Sequence, residues 1–355
     1  MTKTTIGALS LSLALFQAAR AETPPDGGAS AGKKALMASM GDSITAALFA
    51  GTNHVSLNGD DLTPDDIEQG FMGSRIFEKK YTLSWSSGKD IPSHFMRLRE
   101  YLKAVEGKDL EVLNTATTGN KAEALVVQAR TVADAMKGGK YSALRYVTIL
   151  IGANDICFGG PTGTPDGVMR DSLKAALGIL AGIPQEEPVK VLVAAIPDVA
   201  ALGSKDIKDS HFWRDMTCGM LWAKLAICQP IVAWQGPEEY QARRRLIEGK
   251  NDAIRRALME VGAEHANLDI AFSERTFRES YESKDLAADC FHPNQATQTR
   301  MAVELWKEQP WFPPAENRAL LRNRAGLDSA RDAVAVRLED RPWGSEPGPG
   351  AVDSR

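Results

Sequence analysis

The sequence carries no marked excess of either charge. It has 42 Lys and Arg against 46 Asp and Glu, a formal net charge of −4. The strongly basic balance of a nucleic-acid binder is therefore missing, as is the long acidic tract of a solvating tail. Cysteine is scarce, with four in 355 residues. No C-x-x-C pair occurs, so a zinc or thioredoxin-type site has no support. No internal repeat is visible, and no segment after the N-terminal stretch is long and apolar enough to cross a bilayer. What remains is an ordinary composition, 43% hydrophobic and 25% charged. It excludes a collagen-like, a wholly disordered or a multi-span membrane chain. The length allows one large α/β domain or two small ones, and either can bury a core.

The first residues read as an address. Lys3 gives a short positive region, Ile6 to Phe16 is apolar with only Ser and Gly interruptions, and Ala19-Arg20-Ala21 offers an A-x-A cleavage site. That is the pattern of a secretory signal peptide over residues 1–21. Its removal takes Lys3 and Arg20 and no acid, moving the net charge from −4 to −6. Export makes disulfides the expected state of Cys157, Cys218, Cys228 and Cys290, with three connectivities open. A secreted or periplasmic protein is expected.

Residues 22–33 are rich in Pro, Gly, Ser and Ala and read as a linker. They contain a near miss to a phosphate loop, Gly27 followed by Gly32-Lys33. Lys34 stands where Ser or Thr should follow, and no strand precedes it, so no nucleotide site is expected. From Lys34 the pattern alternates. Strands are expected at Ala35–Met40, Leu110–Leu113, Tyr146–Ile151, Val189–Ile196 and Asn267–Ile270. Helices are expected from Ser93 to Val105 with Gly107 as the stop, and at Lys121–Met136, Asp166–Leu180, Glu238–Val261 and Gln295–Lys307. The apolar strands are of the kind buried on both faces. Alternation of this kind implies a central parallel sheet with helices on both faces, an α/β fold occupying residues 34–308. Residues 309–355 are expected to be a largely irregular or disordered tail.

In an open parallel sheet, sites form beyond the carboxyl ends of the strands. Four segments fall at such ends or just before the last helix: Gly41-Asp42-Ser43-Ile44, Asn114 to Gly119, Gly152-Ala153-Asn154-Asp155, and Asp289-Cys290-Phe291-His292-Pro293. Each alone is a common turn. Together they supply a nucleophile, a base with an orienting acid, and polar donors.

These blocks resemble those of the GDSL-type hydrolases of the SGNH superfamily. The resemblance covers Lys34 to Trp306. Within the superfamily the chain is most similar to the phospholipase B group, on Ser84-Trp85-Ser86, on Asn114 to Ala122 (NTATTGNKA), on Ile151 to Cys157 (IGANDIC) and on Asp289 to Pro293 (DCFHP). It implies a three-layer, flavodoxin-like fold. It also implies Ser43 as nucleophile, Asp289 and His292 as acid and base, and Ser43, Gly119 and Asn154 as the oxyanion hole. No cofactor and no metal are implied. The remaining histidines, His54, His94, His211 and His265, show no ligand spacing.

The chemistry is consistent with that assignment. A serine hydroxyl is a poor nucleophile until a base takes its proton. His292 lies three residues after Asp289, so one turn can present both side chains together. No G-x-S-x-G occurs, so the strained elbow of the α/β-hydrolases is not the model. Asp42 and Asp155 are expected to accept backbone N–H groups at helix starts.

The blocks must converge on Ser43, which leads to the expected pairs Cys157–Cys290 and, by elimination, Cys218–Cys228. Residues 199–234 form a long excursion rich in apolar side chains, including Trp213 and Trp222. It is expected either to wall an acyl pocket or to cover the sheet. The leading expectation is a secreted, monomeric serine esterase acting on lipid or phospholipid acyl esters through an acyl-enzyme. Transient membrane-surface contact is expected, and no nucleic-acid partner. The alternatives are a carbohydrate acetyl-esterase, a short-chain arylesterase or thioesterase, and a non-catalytic lipid- or glycan-binding protein.

Overall fold

The computed structural model describes residues 33–52, 81–213 and 215–313. The expected signal peptide and linker, apart from Lys33, and the tail from residue 314 onward lie outside them, as does His54. Five parallel strands form the central sheet: β1 (Lys34–Gly41), β2 (Leu110–Asn114), β3 (Tyr141–Leu150), β4 (Val189–Ala194) and β5 (Leu268–Ser273). Their order is β2-β1-β3-β4-β5, the flavodoxin-like order. The main helices are α1 (His94–Val105), α2 (Leu125–Lys137), α3 (Ala153–Phe158), α4 (Asp166–Ala181), α5 (Cys218–Leu225), α6 (Gly236–Glu264) and α7 (Gln295–Glu308).

Right-handed crossovers dictate the layers. The chain steps one way from β1 to β2 and the other way for every later strand. The crossover helix α1 therefore lies on one face, and α2, α4 and α6 pack side by side on the other. After β5 the chain returns to the first face, where Trp306 of α7 meets His94 of α1 edge to face at 5.2 Å. Leu36, Met37, Val147, Ile149, Val191 and Leu192 are fully shielded from water, as strands covered on both faces must be.

Local chemistry explains the element ends. Ser93 caps α1, its hydroxyl accepting the Met96 N–H at 3.2 Å, and Gly107 follows the helix at φ +65°. The chain stays packed beyond α7. Phe312 is buried, stacking on Trp306 and lying near Tyr146 and Tyr101.

The excursion is mostly core. It folds into a small antiparallel hairpin, His211–Trp213 with Met216–Thr217, followed by α5 and a helical turn at Gln229–Val232. Phe212, Leu221, Trp222, Ile231 and Val232 are buried. Trp222 is thus a covering side chain, not part of an open acyl wall. Among the described residues, no helix is long and apolar enough to cross a membrane. Two disulfides and that absence are compatible with a secreted or periplasmic protein.

Candidate active site

The carboxyl end of β1 runs straight into the Ser43 turn. Residues 42–51 form a succession of turns and no helix, so Asp42 is not a helix cap. Its Oδ1 accepts the Ile44 N–H at 3.0 Å inside that turn. Ala47 and Phe49 hold φ values of +56° and +58°, a left-handed conformation that costs non-glycine residues energy and collects at functional sites. Gly41, just before, sits at φ +147°, and a Cβ there would stand 2.2 Å from the Leu150 carbonyl. Only glycine lets β1 lie this close to the end of β3.

Two buried glutamines clamp this turn from opposite faces of the sheet. Gln128 of α2 accepts the Gly41 N–H at 2.8 Å and donates to the Gly41 carbonyl at 2.8 Å. Gln298 of α7 donates to the Ile44 carbonyl at 2.9 Å and accepts the Trp85 N–H at 2.8 Å. The sequence reading missed both. A signal existed, since each is a primary amide on the buried face of an amphipathic helix, where a polar group needs a reason.

Residues Leu286 to Pro293 close on themselves. Leu286 bridges Pro293, and the Ala287 N–H donates to the His292 carbonyl at 2.7 Å. Cys290 takes φ +59° at the bend. Asp289 Oδ1 accepts the N–H groups of Phe291 and His292 at 3.1 and 3.0 Å, and its Oδ2 faces His292 Nδ1 at 2.5 Å. With Nδ1 protonated toward the carboxylate, Nε2 accepts the Ser43 hydroxyl at 2.8 Å. Burial works against the Asp289 charge. The neighbouring imidazole and the two N–H donors outweigh it and hold the carboxyl below its ordinary value. Thr52 ties this loop to the serine turn, accepting the Ala288 N–H at 3.0 Å and donating to the Phe49 carbonyl at 2.7 Å.

The second and third blocks meet each other. Asn154, at the start of α3, donates from Nδ2 to the Asn120 carbonyl at 3.0 Å. Asp155 accepts the Ala122 N–H at 2.9 Å, so it anchors the second block and does not cap its own helix. Gly119 sits at φ +79° with open space where a Cβ would lie. Its dihedral, not crowding by the protein, selects glycine. Asn114 holds the second block to the serine turn, donating to Thr45 O at 3.2 Å and to Ser87 Oγ at 2.7 Å. Ser86, which precedes Ser87, bonds Ser39 of β1 and Thr148 of β3. The structure therefore brings Ser43, His292 and Asp289 into one line and joins the Gly119 turn to Asn154.

Burial pushes the Asp42 carboxyl up to about 7, against the stabilising Ile44 N–H and the nearby imidazole of His292. Asp155 is also raised, chiefly by burial. Each leaves one oxygen without a hydrogen bond.

The disulfides depart from expectation. Cys157 pairs with Cys228, and Cys218 with Cys290. The reason is geometric. Cys218 opens α5 and Cys228 lies past its end, and a helix of eight residues is about 12 Å long. A bridge needs Cα atoms within about 7 Å. The excursion also stands against both site blocks, so each block cysteine finds a partner in the excursion and not in the other block.

An arrangement of this kind can deliver a serine alkoxide to an electrophilic carbon and return the proton to a leaving group. A model of the GDSL-like lipase/acylhydrolase family matches residues 37–305. No match to a curated protein was found. Among solved structures, the chain is similar to LAE5, an alpha/beta hydrolase enzyme from the metagenome of Lake Arreo, at 16% identity over 79% of this chain and 95% of that one, with a TM-score of 0.42. It is similar to the esterase EstA from Pseudoalteromonas sp. at 12% identity over 77% and 95%, with a TM-score of 0.38. It is similar to the acetylxylan esterase Axe2 from Geobacillus stearothermophilus at 16% identity over 78% and 94%, with a TM-score of 0.37.

Proposed function

Since the chain belongs to the GDSL-like lipase/acylhydrolase family and is a carboxylic ester hydrolase, we propose that Ser43, His292 and Asp289 form its catalytic triad and that it cleaves lipid or phospholipid acyl esters after export. The single observation that carries the triad is the unbroken line from Asp289 Oδ2 through the His292 ring to the Ser43 hydroxyl. Ser43 Oγ attacks the ester carbonyl while His292 Nε2 takes its proton. The C–O bond to the alcohol breaks as that proton passes to the leaving oxygen, leaving an acyl-serine. Water, deprotonated by the same nitrogen, then releases the acid and restores Ser43. Asp289 keeps the imidazole in the required tautomer and stabilises the imidazolium. The backbone N–H groups of Ser43 and Gly119 and the Asn154 amide are the oxyanion donors in this reading.

Two exposed apolar side chains favour an acyl substrate. Phe158 ends α3, the helix that begins beside Asn154, and is 53% exposed. Met220 on α5 is also 53% exposed, two residues from the Cys218 that is bridged to the His292 loop. An exposed Phe and an exposed Met, each on a helix tied to one half of the site, suit an adaptable lipid contact. The similarity of the Ser84-Trp85-Ser86 and DCFHP segments to the phospholipase B group points the same way. The lack of a basic excess and the A-x-A pattern at residues 19–21 support an exported enzyme with no nucleic-acid partner.

The test is a series of p-nitrophenyl esters from acetyl to palmitoyl, repeated on micellar phospholipid. Rates should rise with chain length and persist on micelles. A fluorophosphonate should label Ser43 and no other serine, and Ser43→Ala should lose activity by several orders of magnitude. Preference for acetyl over every longer ester would overturn the lipid reading. Labelling of a different serine would overturn the triad.

A further inference from the structure

A second cleft, of about 410 Å3, lies beyond the carboxyl ends of β4 and β5. None of its lining residues belongs to the triad or to the proposed oxyanion donors. Its walls come from the turn after β4 (Asp198, Ser204), from the start of α6 (Tyr240, Arg244) with Trp234 just before it, and from the segment after β5 (Phe277, Tyr281). The size is that of a small-molecule site.

The lining is built, not incidental. Trp234 and Tyr240 lie with ring centroids 5.2 Å apart, and Trp234 is fixed by its Nε1 donating to Ala200 O at 2.7 Å. The Arg244 guanidinium lies 4.8 Å over the Phe277 ring. Asp198, only 4% exposed, takes the Tyr240 hydroxyl at 2.8 Å and Arg244 Nε at 3.1 Å on its Oδ2. Its Oδ1 has no hydrogen bond, and neither has the Tyr281 hydroxyl. A buried acceptor or hydroxyl left in this state costs about 1–3 kcal/mol, and two beside one cleft are unusual.

Charge decides the class of ligand. Asp198 is matched by Arg244, Arg278 by Glu274, and Glu279 by Arg275 and Arg300. No ion of either sign is left for a charged ligand to answer. The cleft thus offers flat rings for apolar C–H faces and, at their edges, fixed hydroxyl, guanidinium and carboxylate groups for neutral hydroxyls. A pyranose ring has both surfaces.

We propose that this cleft is a second binding site, separate from the ester-cleaving centre, for a neutral sugar ring, which stacks on Trp234 and Tyr240 and bonds Asp198, Arg244 and Tyr281 through its hydroxyls.

Xylohexaose, cellohexaose and hexa-N-acetylchitohexaose are titrated calorimetrically into the full-length mature protein, with choline chloride and sodium phosphate as charged probes. At least one hexasaccharide should give saturable heat, and the charged probes none. Trp234→Ala should weaken binding about tenfold or more, as loss of a stacked anchor does. Tyr240→Phe, which keeps the ring and deletes one hydroxyl, should weaken it less. Near-ultraviolet circular dichroism must show both variants folded; if Trp234→Ala is not, Tyr240→Phe and Tyr281→Phe decide. Fluorophosphonate-treated protein should bind the sugar unchanged. The proposal is overturned if no hexasaccharide binds, if folded pocket variants bind as well as wild type, if a charged probe is the one that binds and the variants abolish it, or if the block at Ser43 removes sugar binding. Should the fluorophosphonate fail to react, the triad assignment fails and the pocket variants still settle the cleft.

Discussion

Asp42 is placed next to the nucleophile, entirely out of water, with Oδ2 unbonded. In the unfolded chain it releases its proton near 3.8, whereas in the fold it keeps it to about 7. Between those values the folded state binds more protons than the unfolded state, so this group makes stability fall as pH rises, and above about 7 the loss is complete. At about 1.4 kcal/mol per unit of pH, the whole loss is about 4 kcal/mol. Asp42→Asn removes the charge and keeps an oxygen for the Ile44 N–H. It puts an amide donor where the neutral acid already places an O–H without a partner, so variant and wild type are alike while Asp42 keeps its proton. The variant should therefore be close to wild type in stability at pH 4 and more stable than wild type at pH 8. With roughly 2 °C per kcal/mol for a domain of this size, the difference in Tm between variant and wild type should swing by roughly 8 °C across that range. Differential scanning calorimetry at half-unit steps of pH reads it directly. A difference that is the same at pH 4 and pH 8 would refute the buried-carboxylate argument, whatever its size.

His94 titrates in the opposite sense. Burial holds its imidazole near 3 instead of 6.5, so its contribution is present above 6.5 and is lost as pH falls toward 3. His94→Phe should give a flatter acid limb in Tm against pH, together with a lower Tm at pH 7 from the orphaned Tyr146 hydroxyl, now 2.9 Å from Nδ1. Asn154→Ala should lower kcat by about 10²–10³ with little change in KM, the signature of an oxyanion donor; steady-state kinetics showing a pure KM effect would move Asn154 to substrate binding. Gln128→Ala should destabilise by about 1–3 kcal/mol through the unbonded N–H of Gly41, whose carbonyl keeps the Thr117 N–H, measured by urea unfolding. Non-reducing peptide mapping should recover Cys157 joined to Cys228 and Cys218 joined to Cys290.

The sheet was legible because its signals are local. Continuous apolar runs such as Tyr146–Ile151, each followed by a helical period, leave few alternatives to a parallel sheet. The Ser93 cap and the Gly107 stop bound α1 to the residue. The site blocks were legible for a related reason, since the order of the strands brings their carboxyl ends to one crevice. The cysteine pairs were not. Pairing depends on which segment lies between the two blocks, and nothing in the spacing of residues 199–234 says that it folds against both. Trp222 was ambiguous for the same reason, because an apolar side chain reads alike in a core and in a pocket wall. Gln128 and Gln298 carry only the signal of an amide on a buried helix face, which marks the residue but names no role until its backbone partner is known.

The two disulfides interleave along the chain: 157 joins 228 across 71 positions and 218 joins 290 across 72, each loop enclosing one end of the other. The easiest bridge to close by chance in an unfolded chain is the short one between Cys218 and Cys228, since closure entropy grows with loop length. That pair is the wrong one, and once made it blocks both native bridges at a stroke. Oxidation ahead of folding therefore leads this chain into a dead end from which only thiol exchange releases it. Folding ahead of oxidation avoids the trap, because α5 holds the two sulfurs apart. Yield on refolding should then depend on the redox buffer and on how long the reduced chain is left to fold before oxidant arrives, more than on the inherent stability of the sheet.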